Sequence, residues 1–232
     1  MTAVLRATDL HKSFGRPPSR LEVLRGADLE VGRGELVAVA GSSGSGKSTL
    51  LHILGGLMHP DRGTAELGGE DLYGLGDRQR ANRRSRHVGF VFQMHHLLPE
   101  FSAVENVMLP ALIAGAREAA ARARALELLD AMGIASRARH KPGELSGGEQ
   151  QRVAVARALV NAPEVVLADE PSGNLDREAA ETLHRLLERL SQERSQAFLV
   201  ATHSPSLARR AQRTLVLHAG KLQPMEQLET VL

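Results

Sequence analysis

Gly41-Ser42-Ser43-Gly44-Ser45-Gly46-Lys47-Ser48 reads G-x-x-x-x-G-K-S, and the rest of the chain can be arranged around it. The backbone amides of such a glycine-rich loop wrap a polyphosphate, the lysine adds positive charge, and the serine hydroxyl offers a ligand to magnesium. The flanks suit that reading. Before the loop, Glu35-Leu36-Val37-Ala38-Val39-Ala40 is a short apolar run of the kind buried in a parallel strand. After it, Ser48-Thr49-Leu50-Leu51-His52-Ile53-Leu54 opens a helix whose amino end faces the phosphates.

The 232 residues suit one sizeable α/β domain with room for an inserted lobe. Lys and Arg number 29 against 27 Asp and Glu, so the pI of 9.4 reflects a shallow titration curve rather than a strong positive field. No nucleic-acid partner is implied. Without cysteine, disulfides and thiolate metal sites are excluded, and a reducing compartment is allowed. No apolar segment follows Met1-Thr2-Ala3-Val4-Leu5-Arg6, and no run approaches the roughly 18 apolar residues of a membrane span. The expectation is a soluble chain whose membrane role comes through partners.

Val4 to Asp9 alternates as a strand, and Leu10 to Gly15 leads from it into a loop marked by Pro17-Pro18. Leu24 to Val31 reads as an edge strand, and Thr64-Ala65-Glu66-Leu67 starts a hairpin closed by Gly68-Gly69, giving a small antiparallel sheet beside the parallel one. Arg78, Arg80, Arg83, Arg84 and Arg86 fall on a helix and read as a solvated face, with contact to an acidic partner or lipid headgroups as the alternative. Val88 to Gln93 is a second apolar strand ending in a polar amide. From Met94 to Asn161, proline-interrupted loop gives way to strong helix formers, an inserted helical lobe; the core lobe is then 1–93 with 162–232. The strand Glu164 to Glu170, a helix with Leu183, Leu186, Leu187 and Leu190 on one face, the strand Ala197 to Thr202, a helix near Pro205 to Gln212 and the strand Thr214 to Leu217 complete a doubly wound α/β core.

Two carboxylates tip an otherwise apolar strand in Val165-Val166-Leu167-Ala168-Asp169-Glu170. A magnesium nucleotide needs hard oxygen ligands and a group to orient the attacking water. Asp169 can hold the metal through its water shell and Glu170 can act as general base, which points to hydrolysis. In Leu145-Ser146-Gly147-Gly148-Glu149, Ser146 and Glu149 meet the S-x-x-E capping box, so a helix amino end with bare amides stands there. Adjacent His95 and His96 lack the spacing that puts two metal ligands on one helix face.

The phosphate loop, Gln93 after a strand, L-S-G-G-E, V-V-L-A-D-E, Ser172-Gly173-Asn174-Leu175-Asp176 and Thr202-His203 stand in an order that resembles the ATP-binding subunits of ABC transporters. The likeness covers about Leu5 to Leu222; Glu149 replaces the commoner glutamine of the signature. It implies a P-loop NTPase core with a mixed, largely parallel sheet, a small antiparallel β subdomain and an inserted helical subdomain, binding ATP and Mg2+. It also implies roles. Phe14 would stack on adenine; Gly41 to Thr49 would cradle the phosphates, with Lys47 among the catalytic groups; Ser48, Gln93 and Asp169 would attend the metal, Gln93 also sensing the water and linking to the helical lobe; Glu170 would polarise the water and His203 reach the γ-phosphate. Ser146, Gly147, Gly148 and Glu149 would face the nucleotide of a second copy in an ATP-bound homodimer, with Asp176 along that interface. Gln93 to Val107, with Leu50 to Leu57, resembles the lipoprotein-releasing branch of the family, which implies integral membrane permease partners docking at His95 to Phe101 and a place at the cytoplasmic face of a bacterial inner membrane. Near relatives that move drugs or peptides, or signal to cell-wall hydrolases, share much of the chain, and soluble relatives act on DNA or ribosomes.

Overall fold

The computed structural model describes residues 3–16 and 18–225, so Pro17 of the expected loop lies outside it, as do Met1, Thr2 and residues 226–232. In chain order the elements are β1 (Ala3–Phe14), β2 (Leu21–Gly32), β3 (Leu36–Ala40), α1 (Lys47–Leu54), β4 (Arg62–Leu67), β5 (Glu70–Asp71), α2 (Asp77–His87) and β6 (Val88–Val91). Then come α3 (Ala103–Ile113), α4 (Glu118–Ala131), two short 3-10 turns, α5 (Gly147–Leu159), β7 (Val165–Asp169), α6 (Arg177–Arg194), β8 (Ala197–Ala201), α7 (Pro205–Arg210), β9 (Arg213–His218) and β10 (Lys221–Pro224).

A six-stranded sheet runs β10-β9-β3-β8-β7-β6. Its strands are parallel except β10, which turns back antiparallel along β9. A second, antiparallel sheet runs β2-β1-β4-β5. The central strands are continuous apolar runs because both of their faces are covered. Along β3 and β8, Leu36, Val37, Ala38, Val39 and Phe198 to Ala201 are essentially inaccessible to solvent. One core lies between the sheet and α3, α4, α5 and α6; the other joins the opposite face to α1 and the antiparallel sheet. Each fully buried Leu or Val contributes on the order of 2 kcal/mol, and this burial holds the carboxyl ends of β3, β7 and β8 side by side.

Three readings change. β1 continues through Phe14 instead of ending near Asp9, because Asp61 reaches across to the Ser13 amide at 2.8 Å and to Lys12 Nζ at 3.0 Å, holding the strand end against β2. β10 was not expected, since Lys221-Leu222-Gln223-Pro224 carries too few apolar residues to signal a strand. The arginines of α2 are not a uniformly solvated face. Arg80 is buried over the Tyr73 ring and paired with Asp77, Arg83 donates to Leu67 O at 2.8 Å, and Arg84 donates to Gly56 O at 3.0 Å. Of the five, Arg78 and Arg86 are the exposed ones.

Candidate active site

The loop from Gly41 to Gly46 joins the carboxyl end of β3 to the amino end of α1. Gly46 caps α1 at φ 105°, a left-handed conformation open to glycine, and a Cβ there would come within 2.5 Å of Val23. A Cβ on Gly41 would come within 2.7 Å of Ser45 Oγ and 2.9 Å of Leu217 O. Lys47 is 8 % exposed, and its ammonium donates to Gly41 O at 2.8 Å and Ser42 O at 3.1 Å, curling the loop around its own charge. The buried Ser45 hydroxyl has no hydrogen-bond partner among the described residues.

A cavity of about 500 Å³ opens here, lined by Ser43 to Thr49 together with Gln93, Asp169, Glu170 and His203. The last four come from distant parts of the chain and are delivered by parallel strand ends. Glu170 follows β7 in a left-handed conformation at φ 46°, fixed by its amide donating to Ala201 O at 2.9 Å. Its carboxylate takes His203 Nδ1 at 2.8 Å and the His203 amide at 3.2 Å, and lies 3.7 Å from Lys47 Nζ. The His203 side chain is 69 % exposed while that of Glu170 is 14 % exposed, so the imidazole lies at the mouth and the carboxylate at the floor. Gln93 donates to Asn174 Oδ1 at 3.0 Å, and Asn174 donates back to Gln93 O at 3.3 Å. A Cβ on Gly173 would fall 2.9 Å from Gln93 Nε2, so the amide packs directly on that turn.

The described residues hold no cluster of three or more His, Cys, Asp or Glu able to bind a metal. The hydroxyl of Ser48, the amide oxygen of Gln93 and the carboxylate of Asp169 do line one cavity, and this hard oxygen set beside a phosphate cradle fits magnesium carried in with a nucleotide.

Other expected residues stand apart. Ser146 caps α5, its hydroxyl accepting from the Glu149 amide at 3.2 Å while Glu149 accepts from the Ser146 amide at 2.8 Å and from Arg137 at 2.9 Å. The Ser146 amide and Arg137 hold the Glu149 carboxyl below its ordinary value. None of Ser146, Gly147, Gly148 and Glu149 lines the phosphate-loop cavity. Phe14 is 41 % exposed at the tip of β1, with Lys12 Nζ 5.7 Å from its ring centre, and it too stands outside the cavity lining. Asp176 caps α6, accepting from the Ala179 amide at 2.8 Å. In the loop after Gln93, Arg157 of α5 donates to His95 O at 2.7 Å and His96 O at 2.6 Å, while Met94, Leu98 and Phe101 remain exposed. Burial pushes the His95 imidazole below its ordinary value. Val23, which lines the cavity from β2, escaped the sequence reading because it sits in an ordinary strand pattern.

A strand, a lysine-bearing phosphate loop, a helix and an acid-tipped strand one place removed in the same sheet define a phosphate-loop nucleotide hydrolase. The family described as ABC transporter matches residues 24–173, and the chain belongs to that family, as an ATPase cassette. It is 51% identical to the lipoprotein-releasing system ATP-binding protein LolD of Geobacter metallireducens, over 96% of this chain and 99% of that one. It is 53% identical to the LolD of Paramagnetospirillum magneticum, over 94% of this chain and 96% of that one. The fold is similar to the ATP-binding cassette MJ0796, solved as a dimer in a post-hydrolysis state bound to ADP and Pi, with a TM-score of 0.85 and 36% identity over 94% of this chain and 96% of that one. Among the described residues no helix is long and apolar enough to cross a membrane.

Proposed function

We propose that this chain drives lipoprotein release from a bacterial inner membrane toward the outer membrane. It works at the cytoplasmic face as the ATP-hydrolysing subunit, coupled to integral membrane subunits resembling LolC and LolE. The observation that carries the hydrolytic part is the convergence of Lys47, Glu170 and His203 on one cavity, with Glu170 Oε1 within 3.7 Å of Lys47 Nζ and 2.8 Å of His203 Nδ1. Relatives at 51% and 53% identity bear the lipoprotein-releasing name, which favours that cargo over the drug or peptide export of MacB-like relatives and the cell-wall signalling of FtsE-like ones.

In this reading the amides of Gly41 to Thr49 and the Lys47 ammonium bind and orient the phosphates, and Phe14 stacks on adenine. Ser48, Gln93 and Asp169 would hold magnesium, which would supply neutralising charge to the phosphate oxygens. Glu170 takes the proton of the attacking water, and His203 holds the γ-phosphate end. Two copies assemble head to tail in the ATP-bound state, each bringing Ser146 to Glu149 to the other's phosphate loop; the exposure of Ser146 and Gly147, away from their own cavity, supports this. Residues 94–161 act as the helical lobe against a core of 1–93 and 162–232. Gln93 and the exposed apolar side chains of the His95 to Phe101 loop carry nucleotide state to the membrane subunits.

Glu170→Gln tests the proposal. The variant should bind MgATP, hydrolyse it at least about 100-fold more slowly and accumulate as a dimer that retains LolC-like or LolE-like proteins from detergent-solubilised membranes. Wild-type turnover would remove Glu170 from the chemistry, and recovery of ribosomes in place of membrane proteins would refute the transport role.

A further inference from the structure

His184 lies on α6, 2 % exposed among leucines, and takes part in none of the roles above. Its Nε2 stands 2.9 Å from Ser172 Oγ and its Nδ1 3.3 Å from Ser206 Oγ. The two serines belong to different arms of the site. Ser172 follows Glu170 closely, in the turn whose Asn174 engages Gln93. Ser206 follows His203 closely, in the first turn of α7. We propose that His184 is a positioning residue for ATP hydrolysis: one buried imidazole pins the Glu170 turn and the His203 segment to the same point of α6, and so sets the contact between Glu170 and His203. This rests on the hydrolytic reading given above.

The direction of the hydrogen bonds follows from proton counting. Ser206 donates its hydroxyl to Glu181 Oε1, and Glu181 also accepts from Arg210 at 3.1 Å, while Arg210 reaches Glu188 at 2.8 Å. The Ser206 hydroxyl and Arg210 hold the Glu181 carboxyl below its ordinary value, so it is ionised and can only accept. A serine has one hydroxyl proton. Ser206 gives it to Glu181 and must accept from the ring, which places the imidazole proton on Nδ1. Nε2 is then an acceptor and takes the Ser172 hydroxyl. The relay runs one way, from Ser172 through His184 and Ser206 to Glu181.

The charged groups facing the ring are Glu181, 3.9 Å from Nδ1, and Arg210. Burial drives the His184 pKa downward, Glu181 opposes it and Arg210 adds to it, so the net direction is toward the neutral ring the relay needs. An apolar ring would need no partners here. A polar ring there is tolerated because both nitrogens are satisfied.

The test uses the full-length chain with MgATP. H184F removes both bonds while keeping an aromatic ring, a somewhat larger one, at the site, and H184Q can present Oε1 where Nε2 stands and keep the Ser172 bond. H184F should lose about tenfold in kcat, with KM for ATP within about twofold, and H184Q should recover most of the rate. Long-range 1H–15N spectra of the wild-type chain should report the Nδ1–H tautomer of His184 at neutral pH. A wild-type kcat in H184F, or a loss that tracks a fall in Tm and that H184Q does not recover, overturns the positioning role. The Nε2–H tautomer overturns the relay. Absence of turnover in the wild-type chain overturns the hydrolytic reading itself, and is told apart from the rest by that control.

Discussion

Asn106 of α3 is fully buried and organises the loop that the membrane subunits are proposed to grip. Its Oδ1 accepts from the Leu98 amide at 2.8 Å, and its Nδ2 donates to Leu98 O at 3.1 Å, Phe101 O at 3.0 Å and Ser102 O at 3.0 Å. N106L keeps the branched shape, with bulkier methyl groups, and removes all four bonds. Their losses are unequal. Leu98 O keeps the Phe101 amide and Ser102 O keeps the Asn106 amide, whereas the Leu98 amide and Phe101 O have no other partner among the described residues. Two stranded groups cost roughly 1–3 kcal/mol each when buried, less where the exposed loop lets water in. Apolar burial of the leucine offsets about 1 kcal/mol. The net expectation is about 2–3 kcal/mol, or roughly 5–10 °C in Tm for a chain of this size. Urea and thermal unfolding measure it, and amide exchange at residues 98–102 should rise while nucleotide affinity holds. A destabilisation under about 0.5 kcal/mol with unchanged exchange at that loop would refute the argument.

Two further predictions separate structural from decorative charges. R80A should cost about 2 kcal/mol in urea unfolding through lost packing on Tyr73 and lost bonds to Leu75 O and Asp77, whereas R78A should stay within about 0.5 kcal/mol; equal effects would contradict the division of the α2 arginines. Because Glu149 has its folded-state pKa lowered from 4.5, its contribution is fully present above that value and is lost as pH falls through the folded one. E149Q should therefore flatten the acid limb of a plot of urea midpoint against pH, and an unchanged slope would show that the cap of α5 owes nothing to that charge.

What could be read in the sequence was chemistry confined to contiguous residues. The phosphate loop, the acid-tipped strand and the capping box each need fixed neighbours, so Lys47, Glu170 and Ser146 announced themselves, and the burial of β3, β7 and β8 followed from unbroken apolar runs. Contacts supplied from far along the chain left no local trace. Asp61 extends β1 to Phe14, Leu67 O and Gly56 O absorb Arg83 and Arg84, and β10 is a strand because β9 offers an edge. His184 left a faint signal. It stands next to Leu183 and in step with Leu187 along α6, a polar residue on a buried stripe, one turn after Glu181. That placement flags a buried polar group but cannot name Ser172 and Ser206 as its partners.

The left-handed backbone at Glu170 has a consequence for how this protein can change. A glutamate held at φ 46° gives up about 1 kcal/mol that glycine would not, and asparagine only in part. Variants selected for thermal robustness alone would drift toward those residues at 170 and, on the role proposed for Glu170, lose turnover. Persistence of glutamate there across a lineage would then record selection for the hydrolytic role proposed for it.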